Sequence, residues 1–266
     1  KGRVSEIQER QMTTVFDSNI HNIAVEGSFD DAQAIVKSIF NDQKFKQNFY
    51  LGSVNSINWA RILAQIVYYF YAWFRVAKDI REQVSFVVPT GNFGNVLAGY
   101  YAKSMGLPID KLIVSTNEND ILHRFFSKGK YQSTEVKETL SPSMDIQISS
   151  NFERYLFDLA GKSPKQLQLW MDEFEQKREL TLESNLHKKA QKDFASARVD
   201  DEETLSVIRK FYQDHKYLLD PHSAIGVCAA EKIDIKTPVI CLACAHPAKF
   251  GKAIRKALGT ETTLPD

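Results

Sequence analysis

The stretch from Val84 to Ser115 limits the possible folds more than any other part of the chain. An apolar run, Val84-Ser85-Phe86-Val87-Val88, leads through Pro89-Thr90 into Gly91-Asn92-Phe93-Gly94-Asn95, and a helix-like stretch runs on from Val96 to Met105. Gly106-Leu107-Pro108 stops that helix, and Leu112 to Ser115 is a second apolar run. Strand, helix and strand joined in this way form a βαβ unit with a right-handed parallel crossover. The implied class is α/β, a parallel sheet flanked by helices.

The glycine loop carries chemistry as well as geometry. Its glycines, Gly91 and Gly94, let the backbone approach an anion and present N–H donors. The helix N-terminus adds roughly half a positive charge. Asn92 and Asn95 can donate further hydrogen bonds from their side chains. The third glycine of the dinucleotide fingerprint is missing, and so is the Gly-Lys-Ser/Thr ending of a nucleotide loop. The pattern therefore points to one phosphate monoester, such as the phosphate of a cofactor. A tight turn is the plainer alternative.

Composition narrows the field. With 266 residues, 43% apolar and 25% charged, the chain can build a substantial core in one or two domains,. A net charge of +1 gives no electrostatic case for nucleic acid or an anionic membrane,. The longest apolar stretch, Ile62 to Val76, is broken by Gln65 and Arg75. It is too short and too polar for a membrane span, and reads as a buried core helix. Cys228, Cys241 and Cys244 give no disulfide framework, which fits a reducing, cytoplasmic setting,. Lys1-Gly2-Arg3-Val4-Ser5 opens without Met and reads as a strand end running into a helix. The expectation is the C-terminal part of a longer protein.

Other elements follow from local signals. Ser5 is placed to cap a helix from Glu6 to about Val15, and Ile20 to Glu26 alternates weakly, as a short strand would,. Ser28 and Asp30-Asp31 open a helix to about Phe40. Asn117 to Phe126 reads as a helix with Asn117 or Asn119 near its cap, residues 127–142 as a mobile polar loop, and Asn151 to Leu159 as a helix. Residues from about 160 to 215 read as a charged α-helical insertion,. Asp220-Pro221-His222 starts a helix to Lys232, Val239 to Ala243 is a final buried strand, and His246 leads the last helix,. The expected division is residues 1–52, the remainder of a smaller α/β domain, and residues 53–266, a phosphate-binding α/β domain.

Three further constellations invite a functional reading. Asn55-Ser56-Ile57-Asn58-Trp59-Ala60-Arg61 places polar groups and a cation at a helix start. This is either an N-cap or a second anion site. Cys241-Leu242-Ala243-Cys244 has no second pair to complete a zinc site, and residues three apart on a strand face opposite ways,. Buried small residues on a core strand are the expected state. Asp220, His222, Ser223 and His246 suggest either a capped helix or an acid–base group, which only geometry can decide,.

Several segments share a resemblance. VPTGNFGNVLAGYYAKSMGLPI (88–109), TNENDILHRF (116–125), MDIQISSNFERYLF (144–157), NSINWAR (55–61), DPHSAIGV (220–227), AHPAKF (245–250) and the opening KGRVSEIQERQMTTV (1–15) resemble the threonine synthase family and its threonine-synthase-like relatives. The resemblance covers most of the chain. It implies the tryptophan-synthase-β-like, fold type II architecture of enzymes that use pyridoxal 5'-phosphate. It assigns Gly91, Asn92, Phe93, Gly94 and Asn95 to the cofactor phosphate, and Asn55, Ser56, Asn58 and Arg61 to the phosphorylated amino-acid substrate. Cys244 occupies the place where the family usually has Thr or Ser facing the cofactor's ring nitrogen. A thiol is the weaker donor.

The family's Schiff-base lysine sits in a Phe-Lys-Asp context that this chain does not contain. The expectation is that it lies upstream, so no catalytic lysine is assigned here. The implied partner is the N-terminal half of the same protein, and no metal is implied. The implied reaction converts O-phosphohomoserine and water to threonine and phosphate. A catabolic phospho-lyase of the threonine-synthase-like branch and a non-catalytic, secreted or partner-binding fragment are the alternatives.

Overall fold

The computed structural model describes residues 6–27 and 29–260. The chain divides into two units, residues 1–54 and 55–266. In the first unit α1 (Glu6–Thr13), α2 (Phe29–Asn41) and α3 (Gln43–Asn48) follow one another. The Asp42 carboxylate caps α3 by accepting from the Lys44 and Phe45 N–H groups at 2.9 and 3.0 Å,. The strand expected over Ile20–Glu26 is not formed, and Ile23 is exposed. Alternation makes a strand only where another strand takes up its backbone groups, and none does so among the described residues. The expected caps Ser5 and Ser28 lie outside the described residues.

In the second unit the order is α4 (Trp59–Val76), β1 (Val84–Pro89), α5 (Gly94–Ser104), β2 (Ile109–Thr116), α6 (Ile121–Lys128), β3 (Lys130–Gln132), α7 (Phe152–Leu159), α8 (Pro164–Lys177), β4 (Glu179–Thr181), α9 (Ser184–Asp193), β5 (Phe194–Arg198), α10 (Asp201–His215), α11 (Pro221–Lys232), β6 (Val239–Cys241) and α12 (Gly251–Leu258). Four strands form one parallel sheet in the order β5-β2-β1-β6. β3 and β4 form a separate antiparallel pair.

Strand periodicity builds a core on each face of the sheet. Val84, Phe86, Val88, Leu112 and Val114 enter an aromatic-rich core with side chains of α4 to α7. Val87 and Ile113 point the other way, to Ile208, Ile225 and Ile254 of α10, α11 and α12,. β1 is buried at every position, which is why it reads as an apolar run interrupted only by Ser85,. Gly99 lets α5 lie close to α4, since a Cβ there would stand 2.5 Å from the Tyr69 ring and 2.8 Å from Leu112.

Five expectations need correction. The stretch read as an all-helical insertion contains β4 and β5 beside its helices, and β5 is an edge of the main sheet, pairing Leu112 with Phe194 through Thr116 with Arg198. Trp170, Phe174, Leu180 and Phe194 are buried, so the many exposed charges conceal a packed inner face. The polar loop 127–142 includes β3, and its remainder is pinned. Thr139 donates to Asp145 from its N–H at 2.9 Å and from Oγ1 at 2.7 Å, and Asn117 and Asn119 donate to the same carboxylate at 2.8 and 3.1 Å. These two asparagines are thus staples of the loop rather than caps of α6. The final strand is an edge strand, shorter than expected, with Val239 exposed. α4 is buried on one face only: Ile62, Ile66, Tyr69 and Trp73 pack inward, whereas Leu63, Val67, Tyr71 and Phe74 form an exposed stripe,.

Candidate active site

The glycine loop lies at the carboxyl end of β1, between the ends of β2 and β6. The chain reaches those two neighbours on opposite sides of β1, which makes this the kind of switch point where α/β sheets open a crevice. The Thr90 N–H bonds to the Ser115 carbonyl at 2.9 Å. Beyond it, the loop's acceptors are held by neighbouring segments. Ser149 Oγ donates to the Gly91 carbonyl at 2.8 Å, and the Asn151 N–H and Nδ2 both donate to the Asn92 carbonyl at 3.1 Å. Ser150 Oγ donates to Asn92 Oδ1 at 3.2 Å. The buried Tyr69 hydroxyl lies 2.8 Å from the Asn95 carbonyl and 3.0 Å from Asn95 Oδ1.

The donors are in the opposite condition. Among the described residues, the N–H groups of Asn92, Phe93, Gly94, Asn95 and Val96 donate to no acceptor. Any helix leaves its first N–H groups unpaired, but here the unpaired run begins before the helix does. Phe93 makes this possible in two ways. Its backbone is left-handed, with φ 61°, and its ring is buried, with Phe152 at 5.2 Å, Tyr155 at 5.8 Å and Phe194 at 5.9 Å between centroids. Its side chain is therefore an anchor for the loop, and only its backbone is available to a ligand.

The second expected cluster adjoins the first. A Cβ placed on Gly94 would stand 3.4 Å from the Ser56 Cβ, so Ser56 borders the loop directly. Asn55 Oδ1 accepts from the Ile57 N–H at 2.9 Å, and Asn58 Oδ1 accepts from the Ala60 N–H at 3.0 Å. Asn58 thus caps α4, whereas Asn55 closes the turn that precedes it. Arg61 is exposed one turn into α4. Sequence reasoning gave no role to the clasp that joins this turn to the loop. Arg154 Nη2 donates to the Ile57 carbonyl at 2.7 Å, its Nη1 donates to Asn151 Oδ1, and its guanidinium lies 5.9 Å from the Trp59 ring. The available signal was the pair Asn151 and Arg154, one helical turn apart. Arg154→Lys is expected to lower stability by about 1 kcal/mol, because an ammonium cannot reproduce the planar fork. Equal denaturation curves for the two proteins would contradict this.

Cys244 lies beyond β6 and is exposed, and Cys241 is half-buried. The expectation of two buried cysteines on a core strand is therefore corrected, because the strand ends at Cys241 on the sheet edge. Although Cys244 as a residue is exposed, desolvation of its thiol by the surrounding protein pushes it up to about 12, with the Asp220 carboxylate adding to the effect. Burial likewise raises Cys241 to about 11 and raises Cys228. At pH 8 all three are thiols. Iodoacetamide should label each of them at least about tenfold more slowly than a free peptide cysteine, and peptide mapping will show any site that reacts at the free rate.

The acid–base reading of Asp220, His222 and Ser223 is not supported. The Ser223 hydroxyl donates to Asp220 Oδ2, while His222 Nδ1 meets Asp220 Oδ1 at 2.9 Å. Serine and histidine thus engage the same carboxylate and not each other, so no nucleophile is paired with a base. His246 Nδ1 accepts from the Ala248 N–H at 3.2 Å, as an N-cap. No cluster of metal-binding side chains occurs among the described residues, and no described helix is long and apolar enough to cross a membrane.

One electrostatic link draws the parts together. Burial raises the Tyr69 phenol, and Cys244 is near enough to raise it further. Tyr69 in turn holds Asn95. Ser56 adjoins the loop at the carboxyl end of β1, and Cys244 follows β6 beyond the same end of the sheet. Such an arrangement, a glycine loop with unpaired N–H donors at the carboxyl edge of a parallel sheet, fits the match of residues 3–245 to the pyridoxal-phosphate dependent enzyme family, and the chain belongs to that family. Within it the chain is similar to threonine synthases. It is 51% identical to that of Pseudomonas aeruginosa over 266 residues, covering 99% of this chain and 56% of that protein. It is 49% identical to that of Schizosaccharomyces pombe over 286 residues, covering 97% and 56%. It superimposes on the pyridoxal-phosphate-bound threonine synthase of Brucella melitensis with a TM-score of 0.90 and 48% identity, covering 100% of this chain and 57% of that one. The chain thus spans a little over half the length of these relatives.

Proposed function

We propose that the intact protein is a threonine synthase, releasing phosphate from O-phosphohomoserine and adding water to give threonine. The observation that carries this reading is the run of unpaired N–H groups through residues 92–96, bordered by Ser56. Those donors, with the positive end of α5 behind them, suit the phosphate of pyridoxal 5'-phosphate. When bound, that cofactor supplies the electron sink for the elimination. Gly91, Asn92, Phe93, Gly94 and Asn95 hold its phosphate, Phe93 through its backbone alone. Cys244 faces its ring nitrogen as a neutral thiol, a state consistent with its raised pKa. Ser56, Asn55, Asn58 and Arg61 orient the phosphorylated substrate at the start of α4, with the Arg61 cation as the counter-charge.

The remainder of the longer protein supplies the covalent anchor lysine and covers the apolar stripe Leu63, Val67, Tyr71 and Phe74. The 266-residue chain alone should then bind a hydrophobic dye such as ANS, and the intact protein should bind far less. Equal dye binding by the two would contradict this. The activity is tested by incubating the intact, cofactor-loaded protein with O-phosphohomoserine. Phosphate and threonine in equal amounts are expected. A keto acid as the organic product, or no phosphate at all, would overturn the reading.

A further inference from the structure

We infer that Asp220 is a positioning residue that couples the phosphate loop to the ring-facing cysteine, through His222 on one side and Ser223 on the other. The inference rests on the cofactor assignment above and adds to it a device that holds the two parts of the site in register. Asp220 is 1% exposed and stands at the start of α11. A helix cap needs one hydrogen bond, and Asp220 Oδ1 provides it by accepting from the His222 N–H at 2.9 Å. The carboxylate then accepts three more: from His222 Nδ1 at 2.9 Å, from the Ser223 hydroxyl, and from the Ala245 N–H at 3.3 Å.

Each extra bond leads somewhere in the site. Because His222 Nδ1 donates to the carboxylate, Nε2 is left with its lone pair, and it accepts from the Ser143 N–H at 3.3 Å,. The Ser143 carbonyl is the atom that a Cβ on Gly91 would meet at 2.9 Å, so this turn is seated on the phosphate loop. On the other arm, Ser223 Oγ accepts from the Cys244 N–H at 3.0 Å. One buried carboxylate therefore fixes two segments about a hundred residues apart in sequence, one against Gly91 and one carrying Cys244. Burial alone would raise the Asp220 carboxyl, but the hydrogen bonds from His222 and Ser223 outweigh it and keep the group ionised.

The two arms can be cut separately. Ser223→Ala removes the bond to Cys244 and leaves the cap and the histidine. His222→Phe keeps a ring against Phe250, which lies 4.8 Å away, and removes the acceptor for Ser143. In the intact protein loaded with pyridoxal phosphate, Ser223→Ala should shift the absorbance band of the bound cofactor and leave its phosphorus NMR signal in place. His222→Phe should move the phosphorus signal and leave the band. Each should weaken cofactor affinity by about tenfold, as expected when one buried hydrogen-bonding partner is removed. Ser223→Thr, which keeps the hydroxyl, should restore the band. A second readout needs no cofactor: Ser223→Ala should raise the alkylation rate of Cys244 by at least about fivefold, since the lost bond frees its backbone. Wild-type spectra and wild-type alkylation in the folded variants would overturn the inference. Faster alkylation in a protein that takes up no cofactor would uphold the coupling and defeat the cofactor assignment instead.

Discussion

Gly91→Ala should weaken pyridoxal-phosphate uptake by the intact protein by about fivefold to 150-fold, the range that an overpacking cost of about 1–3 kcal/mol implies. The reason is local and steric. A Cβ at Gly91 would stand 2.9 Å from the Ser143 carbonyl oxygen and 3.3 Å from the Met144 Cα. Both atoms belong to backbone, so neither can swing aside as a flexible side chain would. The strain is relieved only by moving the loop or the turn at 142–144, and either movement displaces the N–H groups of residues 92–96. Gly94→Ala is the informative contrast. Its Cβ would meet Asn151, Ile62 and Ser56 side-chain atoms at 3.4 Å, an ordinary packing distance. Without cofactor, thermal unfolding should be lowered by Gly91→Ala and barely changed by Gly94→Ala. Equal cofactor affinities for wild type and Gly91→Ala would refute the account of the loop.

Phe93→Ala should cost about 3–5 kcal/mol of stability, the usual penalty for removing a buried aromatic ring. That is a large part of the stability of an ordinary domain. Phe93 is 1% exposed and touches rings from α6, α7 and β5. It therefore ties the glycine loop to the same core that holds the sheet edge. The left-handed backbone gives a second handle on the effect. Glycine adopts φ 61° without the penalty that alanine bears,. Phe93→Gly should therefore be no more destabilising than Phe93→Ala, although it removes one more carbon. Urea denaturation of the intact variants measures both. A loss below about 1 kcal/mol for Phe93→Ala would mean the ring is not packed as described, since buried rings cost several times that.

The parts of the molecule legible in sequence are those whose signals are local. β1 and the second half of β2, from Leu112 on, are buried on both faces and so read as apolar runs. The glycine loop between them is legible because close backbone approach needs glycine. Asn58 and Asp220 cap their helices as their positions suggest. What was misread depends on partners far away in the chain. Phe194 is a strand residue because Leu112 pairs with it and because Phe126 and Tyr155 pack on it. Nothing within a few residues of Phe194 announces this. Residues 133–141 look like free loop until Asn117 and Asp145 are seen to hold them. Phe93 was rightly placed in the loop, but its side chain serves the core, and no composition rule separates those two uses. Cys244 looked like a core residue because its neighbours are small and apolar, whereas the strand had already ended.

Whether the backbone of residues 92–96 holds the cofactor phosphate is decided by a crystal structure of the intact protein with pyridoxal 5'-phosphate. Phosphate oxygens are expected within about 2.7–3.2 Å of the N atoms of these residues, the range of N–H···O hydrogen bonds, with the ring nitrogen facing the Cys244 sulfur. A phosphate bound elsewhere, with those N–H groups turned to solvent, would contradict that placement.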